Sequence, residues 1–213
     1  MPTLYSDLPT VPPFFIASLE SLGMKFNPLL LSMSALLAVM TLPVAAQQKL
    51  LPAQSDMVFV FKQMGVPVEG HFKKFDAQVS FDPAKLAAAK VSFTVDMVSA
   101  TLGSAQADAE LPKAVWFNTP KFAQATFVSS SFKALGAGKY EVAGKLNIKG
   151  QAQDVLVPLQ MTQSGALTQA TGILPIKRLS FRVGENEWAD TSMVADEVQV
   201  KFKLALNGVA KLP

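Results

Sequence analysis

A catalytic reading of this sequence has to begin with His71, because it is the only histidine among 213 residues. Nucleophilic catalysis by Ser or Thr needs a base beside the hydroxyl, held in turn by an acid. The acid that follows His71 is Asp76, and on an unbulged strand an odd spacing points the two side chains to opposite faces. Ser129-Ser130-Ser131 lies in a strand pattern with no glycine elbow to present a nucleophile. Cysteine is absent, which removes thiolate chemistry and any disulfide framework. No catalytic residue is therefore assigned, and the chain reads as a protein that is not an enzyme.

Binding chemistry is equally constrained. Without cysteine and with one histidine, a metal would have to sit among carboxylates, and Glu185, Glu187 and Asp190 are the one cluster in a loop. They lack the spaced Asp/Asn ladder with glycine of a calcium loop, so they read as a solvated acidic turn and no metal site is expected. No glycine-rich loop joins a strand to a helix, which leaves nucleotide cofactors without support. Phe72-Lys73-Lys74-Phe75 mixes bases with aromatics as single-strand binders do, but it also fits a pleat with rings inside and lysines outside, and no nucleic-acid partner is expected. Arg178 and Arg182 are the only arginines. A guanidinium suits bidentate contact with an anionic head group, so Arg178 is a candidate at a cavity mouth, with an ordinary surface arginine as the alternative.

The elements that would position these residues are nearly all strands. Met57, Phe59 and Phe61 alternate from Asp56, a second strand is expected over Val68 to Val79, and Asp82-Pro83 signals a helical turn over Ala84 to Ala89. Val91, Phe93, Val95 and Met97 alternate with polar residues. The pattern then stops, and an Ala-rich acidic run from Gly103 to Pro112 reads as a short helix, followed by an aromatic loop through Trp116, Phe117 and Phe122. Strands resume near Ala123 and run to Phe132. Further strands carry Tyr140 to Ile148, interrupted at Gly144, then Val155 to Met161 and Val198 to Leu206. Thr168 to Val183 reads as one bent strand or two short ones with Leu179, Phe181 and Val183 inward, and Gly184 to Asp196 as a loop. Eight strand candidates joined mostly by short turns predict an antiparallel sandwich or barrel, all-β with one short helical excursion.

Half the residues are hydrophobic and the formal net charge is +3, scattered along outward strand positions. Some of that hydrophobicity is not core. Met24-Lys25, an apolar run from Pro28 to Leu42, and Val44-Ala45-Ala46 form the three parts of a secretory signal peptide. Residues 24–46 are expected to be that signal and residues 1–23, with scattered prolines and no periodicity, an N-terminal extension ahead of the true start at Met24. Residues 47–213 then form one exported, periplasmic domain whose first residues, Gln47 to Gln54, read as a flexible arm.

Glu69-Gly70-His71-Phe72, Phe81-Asp82-Pro83, Asp108 to Leu111, Phe117-Asn118-Thr119-Pro120-Lys121-Phe122, Gly144 to Gly150 and Lys177-Arg178-Leu179 ahead of Ala195-Asp196-Glu197-Val198 occur in a specific order and spacing. In these pieces the chain resembles the YceI-like family of secreted, lipocalin-like, polyisoprenoid-binding proteins. Two positions depart from it: Gln63 stands where many members carry histidine, and Ser180 where aspartate commonly follows Arg-Leu. The resemblance implies an eight-stranded antiparallel lipocalin-like β-barrel with a helical segment near its mouth. It also implies a tunnel that carries or sequesters an isoprenoid or similar amphiphilic lipid. Transient membrane contact and a homodimer are both compatible with the chain, and neither is implied by the resemblance. On that footing the inward residues Phe93, Val95, Phe127, Tyr140, Val142, Phe202 and Leu204 are cavity candidates. Trp116, Phe117 and Phe122 are expected to pin the helix over the mouth, and Arg178 to meet the head group. The rivals are a solidly packed exported barrel with a structural or stress-related role and a lipid-modifying enzyme.

Overall fold

The computed structural model describes residues 48–213; the expected extension at 1–23 and signal peptide at 24–46 lie outside the described residues. Eleven strands share one antiparallel sheet. They are β1 (Lys49–Leu50), β2 (Asp56–Gln63), β3 (Val66–Phe72), β4 (Phe75–Ser80), β5 (Lys90–Asp96), β6 (Ala100–Thr101), β7 (Gln124–Gly136), β8 (Lys139–Ile148), β9 (Gln151–Ser164), β10 (Leu167–Lys177) and β11 (Val194–Asn207). The single α-helix, α1, is Ala105–Asp108.

These eleven segments occupy eight positions around a closed barrel. Three positions are broken strands, β1 with β2, β3 with β4, and β5 with β6. The expected second strand, Val68 to Val79, is one such pair. Phe72 lines the lumen and Phe75 stacks inward on Phe93 with ring centroids 5.8 Å apart. Two inward residues three apart cannot share a face of a regular strand, so the chain kinks at Lys73 and Lys74, which point outward. Ser99 receives both freed amides, its carbonyl taking Lys73 N at 3.2 Å and its hydroxyl Lys74 N at 2.9 Å. Partners change across the kink: β3 pairs with β2 and, at His71 and Phe72, with β6, whereas β4 pairs with β5. The ring of pairings is closed by β1, which bonds both β11 and β4.

Other boundaries also differ from expectation. The flexible arm is a strand, β1, which pairs Lys49 and Leu50 with Asn207 and Leu206 of β11. The side-chain amide of Gln48 clamps Phe81 by donating to its carbonyl and accepting from its N–H, both at 2.7 Å. β8 runs unbroken through Gly144; the irregularity falls opposite, between Ser129 and Ser131 of β7. The helix expected over Gly103 to Pro112 shrinks to α1 and loose turns. Ser104 gives it no side-chain cap, and Pro112 pushes the residue before it out of the helical region. The long segment Thr168 to Val183 is β10 followed by a 3-10 turn, Arg178–Phe181, with Arg182 in the left-handed region at φ 56°.

One end of the barrel is shut. Leu50, Phe81, Tyr140, Leu206 and Val209 are buried there, and Phe81 meets Tyr140 edge-on with centroids 5.3 Å apart. At the other end stand the β2–β3 hairpin, the segment from α1 to Phe122, the β8–β9 turn and the segment from Arg178 to Val194.

Candidate ligand-binding site

The lumen is a cavity of about 390 Å³ with an almost wholly apolar lining. Nine of the ten residues singled out from the sequence line it: Phe93, Val95, Trp116, Phe117, Phe127, Val142, Arg178, Phe202 and Leu204. Tyr140 does not. It packs on Phe81 at the shut end, and burial pushes its phenol above the usual tyrosine range. The correction has a simple cause, since alternation tells which residues face inward but not at what height along the barrel.

The mouth is organised by two buried cations. Arg178 is 3% exposed and donates all five of its N–H groups to main-chain carbonyls. Nε bonds Ala195 O at 3.0 Å, Nη1 bonds Val183 O at 2.9 Å and Gly184 O at 2.8 Å, and Nη2 bonds Trp188 O at 2.7 Å and Val194 O at 2.6 Å. Burial lowers its pKa and Asp196 acts the other way. With no donor left, Arg178 cannot meet a head group as expected; it folds the loop that the sequence left shapeless. Lys149 sits in the β8–β9 turn at φ 51° and its side chain is 5% exposed. It pairs with Glu185 Oε2 at 3.0 Å and also donates to the carbonyls of Arg182 and Val115. Val115 O further accepts from Gly184 N at 2.7 Å, tying the two mouth segments together.

On this scaffold the chain's two tryptophans meet, Trp116 from one segment and Trp188 from the other, with ring centroids 5.3 Å apart. Nothing in the sequence marks Trp188, because its loop has no periodicity. Below them Phe117 packs edge-on to Phe59 at 6.4 Å, and Phe59 lies 4.9 Å from Phe72. Leu111 is buried in the same cluster. Phe122, also expected to pin the helix, packs instead on the β8–β9 turn at Gly150. Asp108 closes α1 onto β6 by accepting from Thr101 Oγ1 and Leu102 N, both at 2.6 Å. Those two bonds hold its carboxyl below the usual aspartate range against a smaller opposing effect of burial.

The remaining candidates are placed elsewhere. His71 is on the outer face, half exposed, with Asp56 at 3.5 Å and Glu69 at 3.6 Å. The Ser129 hydroxyl accepts from Val91 N at 2.8 Å beside the β7 bulge. Glu185 belongs to Lys149, and Asp190 accepts from the amide and hydroxyl of Ser192, so the acidic loop does not converge on a point. Among the described residues no group of three metal-ligating side chains comes together.

An antiparallel eight-stranded barrel, shut at one end and enclosing an apolar lumen, places the chain in the lipocalin-like class of architectures. Residues 49–206 match the YceI-like domain, and the chain belongs to that family. Its relatives include a UPF0312 protein of Vibrio cholerae, 28% identical over 179 residues, which span 77% of this chain and 95% of that protein. Among solved structures it is similar to Burkholderia cenocepacia BcnA, with 49% identity, a TM-score of 0.71, and coverage of 73% of this chain and 98% of BcnA. A polyisoprenoid binding domain from Saccharophagus degradans, implicated in plant cell wall breakdown, shares the fold at a TM-score of 0.61 and 16% identity, covering 76% and 98% of the two chains.

Proposed function

We propose that this protein is exported to the periplasm and there carries or sequesters an isoprenoid or similar amphiphilic lipid, binding it without chemical change. The observation that supports this reading is the lumen: it is open at one end, lined by aliphatic and aromatic groups, and bordered by cations whose donors are all taken by the protein. Such a site favours hydrocarbon and offers no buried partner to a charge. Burying a methylene gains roughly 0.8 kcal/mol, so each five-carbon isoprene segment contributes on the order of 3 to 4 kcal/mol before ordering costs. The polar head stays at the rim, near Gln63 and Glu110, which are the polar lining residues beside solvent.

Entry from a membrane fits the outer rim. Met64, Val66 and Met193 are 71%, 63% and 43% exposed, and Met64 N bonds Met193 O at 2.8 Å. This apolar tip adjoins the mouth through Gln63 and Val194. A barrel packed solid, the structural alternative, has no use for an open apolar lumen. The deciding experiment is mass spectrometry of an organic extract of the protein recovered from the periplasm, with N-terminal sequencing of the same sample. A co-purified hydrophobic mass and an N-terminus at Gln47 are expected. No bound lipid, together with no uptake of added prenyl alcohol, overturns the carrier reading, and retention of Pro2 or Thr3 at the N-terminus overturns the proposed processing.

A further inference from the structure

Three phenylalanines that line the lumen do not project into it; each lies flat on a glycine of the neighbouring strand. Phe59 of β2 is the register partner of Gly70 in β3, and a β-carbon at Gly70 would lie 2.2 Å from its Cζ and 2.7 Å from both Cε atoms. Phe202 of β11 is the partner of Gly172 in β10, where a β-carbon would fall 2.4 Å from Cζ. Phe127 of β7 lies diagonally over Gly144 of β8, with 2.5 Å from a β-carbon to Cε2 and Cζ. Real β-carbons do not approach so closely, so the absence of a side chain at each glycine is what lets the ring fold against the wall. The three pairs are spread around the barrel, on β2/β3, β7/β8 and β10/β11.

We propose that these phenylalanine–glycine pairs set the bore of the lumen, and that Gly70 is the specificity-determining residue for the girth of the chain that enters. This rests on the carrier reading above and adds to it the residue by which the lumen admits a chain as broad as a methyl-branched one. Gly70 holds the decisive place because, of the three paired rings, Phe59 is the one that Phe117 of the mouth packs against, alongside Phe72. A methyl group at Gly70 has one way to be accommodated, since all three nearest atoms belong to the Phe59 ring, and it turns that ring into the path beneath the mouth. At Gly144 and Gly172 the added carbon also strikes the main-chain carbonyls of Val128 and Pro158, so those positions test folding as much as bore.

The test compares geranylgeraniol with hexadecanol, read by tryptophan fluorescence on the exported protein. Gly70→Ala is expected to weaken geranylgeraniol by about tenfold or more while hexadecanol changes by less than about twofold. The double variant Phe59→Leu with Gly70→Ala restores the branched alcohol. Phe59→Leu and Phe202→Leu alone keep their glycines and shift preference further toward the branched chain, which covers the case in which Gly70→Ala does not fold. Unchanged affinity for both alcohols, equal loss of both without rescue, or no shift in preference in the two Leu variants overturns the inference. If the unaltered protein takes up neither alcohol, it is the carrier reading that fails. The bore is then decided by a crystal structure of Gly70→Ala, where a Phe59 ring still on the wall overturns the inference and one turned into the lumen supports it.

Discussion

Replacing Arg178 with Met keeps the length of the stem and removes all five donors. Of the carbonyls it leaves, those of Gly184 and Val194 are fully buried with it, while those of Ala195, Val183 and Trp188 reach partly buried positions where water can return. An orphaned buried acceptor costs about 1 to 3 kcal/mol, so the two buried ones together give roughly 2 to 6 kcal/mol, with about 4 kcal/mol as the centre. For a domain of this size that corresponds to a fall in Tm of about 8 to 16 °C. Arg178→Lys keeps the charge but offers one nitrogen in place of a fork, and falls between. Calorimetry reads the Tm, and hydrogen exchange reads whether the amides from Val183 to Val194 lose protection first. A Tm within about 2 °C of the parent with a large loss of lipid affinity would refute the argument. That outcome is what a head-group arginine gives, and it inverts the order of effects expected here.

Three further outcomes follow from the same geometry. Trp188→Ala removes an aromatic pair worth about 0.5 to 1.5 kcal/mol and should speed release of a bound prenyl alcohol by roughly two- to tenfold in stopped flow, with little change in Tm. Tyr140→Ala should cost about 3 to 5 kcal/mol in urea unfolding yet leave the affinity of the remaining folded protein unaltered, because Tyr140 lies at the shut end. Asp108 has a folded-state pKa below its unfolded one, so the stability it contributes is present above the ordinary aspartate pKa and is lost as pH falls through the depressed folded value. Exchange of the Leu102 amide should therefore accelerate on acidification below the usual carboxylate range, and Asp108→Asn should abolish that dependence.

Strand character was legible wherever one face is buried, as in Phe93 and Val95 or Phe202 and Leu204, because period-two alternation reports the pleat directly. The family resemblance then distinguished barrel from sandwich. Pairing was not legible: nothing in Phe72-Lys73-Lys74-Phe75 says that partners change at the lysines, since register depends on residues distant in sequence. Lys49-Leu50 is too short to show a period, so β1 read as an arm. Arg178 and Lys149 look like any exposed cation, and their roles exist only because Val183 to Ala195 folds back over them. Trp188, Glu185 and Asp190 share that loop, where function comes from main-chain carbonyls that carry no residue signature.

The distribution of broken strands divides the barrel mechanically. Residues 124–207 supply five long uninterrupted strands, whereas the stretch before them supplies three positions each assembled from two pieces. One half of the wall is thus a stiff shell and the other a hinged one, with its joints at Leu51 to Ser55, Lys73-Lys74 and Met97 to Ser99. Ligands of different length need not strain the whole cylinder equally, because the joints lie on the side from which the segment from α1 to Phe122 departs, while the segment from Arg178 to Val194 springs from the unbroken strands.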